Sequence, residues 1–481
     1  MRLLIMKKLL LFISFLFISV TLNAQTFSQY NTETLFDSFE NPSQRSFIRD
    51  SSNMYASNFF IPNFGGNAFL RGNAQRSITT RLFDERYNNS DLRIGEARFN
   101  HVNINASVYL LMLKMYSSLK GDQEIGFSIK YKAEARGLIT DETIALFNGA
   151  ANFNTQQYDN LINSKGDYQN YYQVGFSYRE KVSRRVALGA KLNFLMGVQH
   201  QRLTIHESHL AFDPAGENAD VALRATYYRS YFPGKRDIID FTPSLRNPGA
   251  SISLGGSVKD ESGLIWQANV KDFGFIHWSK RSARFDINDV RRFSGLKSPD
   301  REENVKQTAK EFINSGDSTI ASYITPTNGV AELSASKQFW LNYDHTLKLF
   351  PSLIIQKQLF YQGFTGALVN HVQYNNLVLT LSASYNDLRM LNVGGQFMFK
   401  TPNAEVYIGS ERLLPTARLA GRQSEYRSSY VGGDVFFGVA FKFGPPIESP
   451  LNASRIPMGE EKGFLGRFFD KMFGKKPKGE L

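Results

Sequence analysis

Apolar and polar residues alternate with a period of two along several segments of the chain. In segment 124–136, Ile125, Phe127 and Ile129 would share one face of an extended strand. A helix would place Ile125 and Phe127 about 200° apart and mix the two classes of residue. The pattern therefore predicts a membrane-spanning strand, which takes roughly 9–11 residues, with one lipid-like face and one charged face. The charged face carries Glu124, Lys130, Lys132, Glu134 and Arg136.

The same alternation recurs and predicts a series of long hairpins joined by short polar turns. Three much longer polar stretches separate the hairpins. Short turns on one side and long loops on the other are typical of outer-membrane barrels. We therefore predict an all-β fold, a transmembrane antiparallel β-barrel of about 14 strands. The long stretches cover residues 138–169, 200–248 and 279–328.

The lengths of the connections also predict the orientation of the barrel. Outer-membrane barrels have short periplasmic turns and longer extracellular loops. We expect the turns to face the periplasm and the long loops to face outside. The predicted periplasmic turns lie near Asp122, Ser183 and Asp387, and the outer loops are centred near Tyr158, Arg224 and Ser298.

The first 24 residues have the order of a cleavable secretory signal. Arg2, Lys7 and Lys8 precede an apolar run at 9–20, and small and polar residues follow up to Ala24. The run is shorter than the roughly 20 residues that a membrane-spanning helix takes, so we expect cleavage after Ala24. The alternative is an uncleaved anchoring helix. A lipid-modified cysteine is excluded because the chain contains no cysteine.

Composition and charge narrow the list of partners. The formal charge is +12, but the lysines and arginines are scattered and alternate with apolar residues rather than forming a basic stripe. We therefore expect no nucleic-acid partner. The chain has 40 phenylalanines and 22 tyrosines, which suits a barrel with aromatic girdles. Outer-membrane lipid and lipopolysaccharide are the expected surroundings.

Candidate chemistry in the sequence is sparse. His206, Glu207 and His209 could suggest a metal site, but a spacing of three on a strand points the two imidazoles to opposite faces. No Gly-x-Ser-x-Gly nucleophile elbow is present. We expect no catalytic, cofactor or metal site. Gly255 and Gly256 lie inside an alternating strand, where glycine indicates a bulge or a close approach of another backbone.

The charged face of segment 124–136 has two interpretations. Inward charges tune solute passage in open barrels. Alternatively, opposite charges pair and close a solvated interior. We favour pairing.

The end of the chain predicts a last strand and a tail. In segment 434–443, Gly438, Phe441 and Phe443 match the glycine and aromatics of the outer-membrane insertion signal. The tail that follows contains an amphipathic segment at 463–476, which either docks on the inner leaflet or a protein partner, or packs on the barrel rim. Its apolar face comprises Phe464, Leu465, Phe468, Phe469, Met472 and Phe473.

Glu40-Asn41-Pro42-Ser43 resembles the Asn-Pro-Ala motif in the N-terminal plug of the long-chain fatty-acid transporter family, with Ser43 in place of alanine. The wider pattern is similar to a Bacteroidota family of unknown function within that barrel superfamily, whose wider relatives include barrels that accompany type IX secretion. The resemblance implies a barrel of about 14 strands with an N-terminal segment in its lumen. The wider pattern comprises Asn23-Ala24-Gln25, Phe59-Phe60-Ile61-Pro62-Asn63-Phe64, Asp141-Glu142-Thr143-Ile144-Ala145-Leu146, Asn247-Pro248-Gly249-Ala250, Asp272-Phe273-Gly274-Phe275-Ile276-His277-Trp278-Ser279 and Ile456-Pro457-Met458-Gly459.

Two functions remain open. The first is a plugged channel or transporter for hydrophobic or small solutes, with Asn41, Pro42 and Ser43 as the gate. The second is a barrel subunit or anchor for surface or periplasmic proteins, such as a secretion-associated component. A lateral wall opening or an apolar lumen pocket would favour transport, whereas a sealed lumen with an exposed tail would favour interaction. The predicted divisions are a signal peptide at 1–24, a plug at 25–56, a barrel at 57–444 and a tail at 445–481.

Overall fold

The computed structural model describes most of the predicted plug and barrel. Residues 1–24, the predicted signal peptide, lie outside the described residues. Among the residues that are described, no helix is both long enough and apolar enough to cross a membrane. The described residues are 32–117, 123–230, 243–280, 282–423, 430–448, 463–465 and 467.

The wall is a closed antiparallel barrel of 14 strands, as predicted. Short segments β1 and β2 share the first position, and both pair with β3 on one side and with the last strand, β21, on the other. The order around the wall is β1/β2, β3, β4, β6, β7, β9, β10, β14, β16, β17, β18, β19, β20 and β21. The strands are β1 (Asn53–Ser57), β2 (Asn63–Arg71), β3 (Phe99–Tyr116), β4 (Gln123–Thr140), β5 (Gln157–Asp159), β6 (Lys165–Lys181), β7 (Val186–Phe212), β8 (Asn218–Arg229), β9 (Pro248–Lys259), β10 (Leu264–Trp278), β11 (Ala283–Ser294), β12 (Asp317–Ile320), β13 (Tyr323–Pro326), β14 (Val330–Lys337), β15 (Phe339–Trp340), β16 (Leu347–Gln358), β17 (Phe364–Tyr374), β18 (Leu377–Asn386), β19 (Leu391–Lys400), β20 (Ala404–Ser410) and β21 (Val431–Pro446).

The helices lie inside the barrel, on its outer face or beyond its rim. The first, α1, is the only one of them to fall within the predicted plug, whose last residues already belong to β1. In the described part of the chain, the helices are α1 (Leu35–Glu40), α2 (Gln75–Asp84), α3 (Asp141–Leu146), α4 (Arg301–Ser315) and α5 (Leu413–Ala420), with one 3₁₀ turn at Ala150–Asn152.

The wall strands have an apolar outer face and an inner face that is largely polar except where it packs on the plug. In β18, Leu377, Leu379 and Leu381 are about half exposed on the outside, at 45–54%, while Thr380 and Ser382 are buried inside. A free-standing soluble barrel would expose polar residues outward. An outward apolar band around a polar interior is the pattern of a barrel whose solvent is lipid.

The connections differ at the two ends of the barrel. Two-residue to four-residue turns at 182–185, 375–376 and 401–403 lie at one end, the short-turn end. Because β18 starts from the turn at 375–376, its far end, with Asp387, lies at the opposite, long-loop end. The prediction that Asp387 shares a side with Asp122 and Ser183 is therefore wrong, since a short turn alone does not fix the side of the barrel.

The long connections, predicted as polar loops, form a folded cap beyond the barrel wall. The cap comprises α4, β5, β8, β11, β12 and the outer part of β7. Val221 of β8 and Phe285 of β11 face an apolar core, against which α4 packs Val305 and Phe312. Polar residues on the outer cap surface dominate the composition of these stretches. The apolar core of the cap could therefore not be predicted from composition.

Candidate functional site: a plugged lumen beneath a polar cavity

The described part of the predicted plug, residues 32–56, lies inside the short-turn half of the barrel. Thr34 caps α1 by accepting a hydrogen bond from the Asp37 backbone N–H. The side chains of Leu35, Phe36 and Phe39 are almost fully buried among inward-facing wall residues. Burial of this apolar surface holds the helix in the lumen. The wall residues in this cluster include Tyr109, Met112, Ile354, Val369, Met398, Tyr407 and Phe436.

Glu40, at the end of α1, ties the plug to two sides of the wall. Its carboxylate lies 2.5 Å from Lys130 Nζ on β4 and 3.1 Å from Lys271 Nζ on β10. The Tyr109 hydroxyl on β3 donates a third bond at 2.7 Å. These side chains are at most 10% exposed, so solvent screens the pairs weakly. Lys271 was not singled out in the sequence, because a spacing of 231 residues from Glu40 carries no local signal.

The predicted gate residues Asn41, Pro42 and Ser43 form a tight turn after α1. Asn41 Oδ1 accepts hydrogen bonds from the Ser43 backbone N–H at 3.1 Å and the Ser43 hydroxyl at 2.8 Å. A Cβ atom at Gly189 of β7 would collide with the Pro42 carbonyl, and one at Gly255 of β9 would collide with Asn41. The two glycines therefore form a socket for the turn. The close approach predicted at Gly255 is confirmed, whereas Gly189 was missed.

Four of the five predicted lumen charges are paired. Glu124 lies 3.4 Å from Lys114, and Lys130 is bound to Glu40. Lys132 Nζ lies 3.3 Å from Glu134 and 3.0 Å from Asp272. Pairing, the favoured interpretation, thus describes these four charges.

Arg136 is the exception. Among the described residues, its Nε and Nη2 atoms are buried and have no hydrogen-bond partner. Its guanidinium carbon lies over the Tyr361 ring, 3.4 Å from the centroid. Asp167, its cross-strand neighbour on β6, is bound instead to Arg202 at 2.5 Å. The predicted lumen charges nearest the plug are therefore paired, whereas Arg136 keeps unpaired donors.

A cavity of about 570 Å³ occupies the lumen on the long-loop side of the plug. Glu40 forms part of its floor, and Arg136, Arg202 and Tyr361 line its upper part. Charged and amide side chains form much of the lining. The further lining residues that enter the argument are Asn105, Gln356, Asp387 and Arg412.

Beside the cavity, the described residues leave one interval of the wall without a strand segment. β20 pairs with β19 only as far as Gly395 and with β21 only as far as Phe436. Beyond these positions, residues 391–394 and 431–435 continue toward the long-loop end with no described strand between them. We call this interval the seam gap. The transport hypothesis predicts a lateral opening, so what covers this interval matters.

Helix α5 covers the seam gap from the outside. Thr416 Oγ1 accepts a hydrogen bond from the Asp434 N–H at 2.9 Å and donates to the Asp434 carbonyl at 3.2 Å. The hydroxyl thereby replaces the missing strand neighbour of β21. Inside, the Tyr430 hydroxyl donates to Asn392 Oδ1 at 2.5 Å, and Arg412 lines the cavity. The gap is closed, but by side chains rather than by a backbone ladder.

A second interruption, between β1 and β2, is closed more firmly. Asn58 is fully buried and fills the break at 58–62. Its Oδ1 accepts from the Met112 N–H at 2.7 Å, and its Nδ2 donates to the Ile61 carbonyl at 2.8 Å. Phe59 and Phe60 point outward and are 51% and 69% exposed.

The described part of the tail touches the short-turn end of the barrel. The Leu465 N–H donates to Glu180 Oε2 at 2.9 Å, and Phe464 is 69% exposed. Phe468, Phe469, Met472 and Phe473 lie outside the described residues. Docking of the tail on a partner therefore stays a prediction.

The histidines considered for a metal site have separate partners. His206 Nε2 lies 3.0 Å from Thr226 Oγ1, and His209 Nδ1 lies 2.6 Å from Asp159 Oδ1. Within the described ranges, no group of three metal-ligating side chains occurs.

The fold and the lumen define the protein as a plugged 14-strand β-barrel. Residues 51–411 match the model of DUF5723, a family of unknown function, and the chain belongs to that family. No curated protein matches the sequence.

Several solved barrel structures are similar to the chain. The translocator domain of the autotransporter NalP from Neisseria meningitidis has 7% identity and a TM-score of 0.35, with 82% of this chain and 90% of that chain covered. The P. putida toluene transporter TodX has 8% identity and a TM-score of 0.39, with coverages of 85% and 94%. A Pseudomonas aeruginosa FadL homologue has 9% identity and a TM-score of 0.40, with coverages of 86% and 95%.

Proposed function

We propose that the protein is an outer-membrane channel that admits small solutes to the lumenal cavity, with the N-terminal plug as its gate. The observation that carries the proposal is the double role of Glu40. This residue ends the plug helix and also forms the cavity floor. Movement of the plug would therefore open the floor of the cavity directly. The apolar outer face of the wall supports placement in a lipid bilayer.

The transport proposal rests on the cavity and on Glu40 rather than on the seam gap, because α5 closes the seam gap. Of the two solute classes considered, the charged and amide lining favours small polar solutes. A hydrophobic ligand stays a prediction.

A glycine-to-alanine substitution tests the proposal, because it should release the plug without changing any charge. In Gly189→Ala, the added Cβ collides with the Pro42 carbonyl, so the turn at 41–43 can no longer pack against β7. Gly256→Ala is the matched control, because a Cβ there makes only ordinary contact with Leu188. Purified full-length variants would be reconstituted in proteoliposomes and assayed for glucose flux. We expect Gly189→Ala to raise the flux at least tenfold and Gly256→Ala to match the parent.

Two results would argue against the channel. One is equal flux for both variants while trypsin cleaves the plug at Arg45 only in Gly189→Ala, because the plug would then be released without opening a path. The other is equal flux with an uncleaved plug in both variants, which argues against the gate, because Gly189 would then not be part of a socket that holds the plug. Heat-modifiable migration on gels verifies that each variant retains the folded barrel.

A second candidate function is a barrel subunit or anchor, such as a secretion-associated component. The observation that favours it is the cap, which carries an apolar core of its own outside the wall. The predicted tail would supply a second contact on the periplasmic side. Deletion of residues 459–481, or Asp at both Phe468 and Phe469, should release a co-purifying periplasmic protein without loss of the barrel. Unchanged co-purification in both variants would contradict a docking role.

A further inference from the structure

We propose that the cavity binds a small polar solute that carries a carboxylate, and that Arg136 is the residue that holds it. The proposal rests on the channel function above and names its substrate class. It starts from the one predicted lumen charge that has no counterion among the described residues.

The free atoms of Arg136 have the geometry that a carboxylate requires. Nε and Nη2 lie on the same side-on edge of the guanidinium, and two parallel N–H groups there match the two oxygens of a carboxylate. The guanidinium carbon lies 3.4 Å from the centroid of the Tyr361 ring, while Nε and Nη2 have no hydrogen-bond partner among the described residues. A buried donor without a partner is unfavourable, so a ligand that pairs with this edge gains stability.

The charge balance around Arg136 favours an anion. Arg136 and Arg202 flank the single carboxylate of Asp167, and Arg202 holds it. Each described carboxylate that lines the cavity is engaged by another group of the protein. These carboxylates are Glu40, Glu134, Asp167, Asp272 and Asp387. The local surplus is therefore positive and is not neutralised from within.

Free acceptors in the same cavity indicate that the solute also donates hydrogen bonds. Gln356 is only 8% exposed, and its Oε1 has no partner within the described part of the chain. Asn105 Oδ1 is also buried and unpaired there. Both side chains line the cavity. A hydroxylated or amino carboxylate would satisfy the arginine edge and these acceptors together, whereas an alkyl carboxylate would leave the acceptors unpaired.

Calorimetric titration of the full-length protein in detergent tests the proposal with gluconate, glucose and octanoate at constant ionic strength. Gluconate is an open-chain hydroxylated carboxylate, glucose is a neutral and mainly cyclic sugar with the same number of carbons, and octanoate keeps the carboxylate but lacks hydroxyls. We expect gluconate to bind most tightly. Arg136→Gln should weaken gluconate binding about tenfold or more, as loss of a bidentate charge-assisted pair does. Arg136→Lys should be intermediate, since it keeps the charge but loses the fork.

Arg224→Gln is the matched control, because this cap arginine is exposed and paired with Glu207. It should bind gluconate like the parent. Equal binding of gluconate by Arg136→Gln and the parent would overturn the proposal, as would tighter binding of octanoate or of glucose than of gluconate.

The two proposals fail in different ways. If Gly189→Ala passes no solute while gluconate still binds through Arg136, the channel is wrong and the binding site stands. If Gly189→Ala passes glucose and gluconate equally, and Arg136→Gln changes neither gluconate binding nor flux, the channel stands and the anion site is wrong.

Discussion

The floor of the lumen and the cavity above it are built from the same residue types but in different states of pairing. At the floor, Glu40 is held by Lys130, Lys271 and the Tyr109 hydroxyl. In the cavity, Arg136 stacks on Tyr361 and has an unpaired edge. The floor side chains are at most 10% exposed, whereas Arg136 is partly exposed, although its Nε and Nη2 atoms are buried.

The contrast separates structural charges from charges available to a ligand. A buried charge whose partners are all supplied by the chain contributes to one fixed arrangement. A buried charge left with free donors has a stabilising partner only when something else enters. Pairing within the lumen therefore distinguishes the gate from the solute site better than residue type does.

The largest expected effect is loss of the floor pairs. Glu40→Ala leaves Lys130 without its carboxylate and weakens the pairing of Lys271. Breaking a buried pair by removing one partner costs about 3–5 kcal/mol. We expect the plug of this variant to become cleavable by trypsin at Arg45 in detergent. Glu261→Ala, in an exposed turn where the side chain is 82% accessible, is the control and should leave the plug protected.

A smaller effect is expected where the cavity wall depends on one hydroxyl. Thr416→Val removes both hydrogen bonds to the Asp434 backbone, at a cost of about 1–3 kcal/mol for the unsatisfied groups. Hydrogen exchange at the Asp434 amide should accelerate by at least tenfold. Thr319→Val is the control, because its hydroxyl is exposed and makes a single bond of 3.4 Å. Unchanged exchange in Thr416→Val would mean that α5 does not close the seam gap.

In the cavity, removal of a charge should stabilise the folded barrel rather than destabilise it. Arg136→Met keeps the volume near Tyr361 but deletes the unpaired donors. The free energy of unfolding should therefore rise by about 1 kcal/mol, which is within the cost of an unsatisfied buried group. Gel migration across a urea series measures this. If the variant is instead destabilised by as much as Glu40→Ala, Arg136 is structural, and the contrast between floor and cavity disappears.

The smallest effect is expected for an ion pair that is exposed. Arg81 of α2 lies 2.7 Å from Glu302 of α4, with side chains 38% and 21% accessible. Arg81→Gln should change stability by only about 0–1 kcal/mol. Limited proteolysis of the cap would measure this. A loss as large as that in Glu40→Ala would contradict the view that coverage from solvent decides the strength of these pairs.

The same pair should respond to acid. Partial burial raises the pKa of Glu302, but hydrogen bonds from Lys306 and Arg81 outweigh it and hold the pKa below its usual value. A lowered folded-state pKa means that this stabilisation is complete above the ordinary glutamate value of about 4.3 and is lost as the pH falls through the lower value. Cap proteolysis by an acid-active protease should therefore show a smaller difference between Arg81→Gln and the parent at low pH.

The sequence by itself determined the all-β class, an approximate count of about 14 strands and the inward face of segment 124–136. These features follow from a local period of two, in which neighbouring residues point to opposite faces. The close approach at Gly255 was also visible locally, because glycine inside a strand pattern has few other uses. The N-terminal plug was expected from the resemblance at Asn41, Pro42 and Ser43 rather than from the alternation.

Only the tertiary structure decided which charges are paired, where β20 stops short and that the long polar stretches share an apolar core. Glu40 meets Lys271, and Thr416 meets Asp434, through the closure of the barrel. Each wall strand crosses the membrane once, so the side on which Asp387 lies depends on whether the number of preceding crossings is odd or even. The length of its own turn does not decide it. Such facts depend on contacts between distant parts of the chain. Local alternation shows that Arg136 points inward, but only the folded lumen shows that no carboxylate among the described residues is left to pair with it.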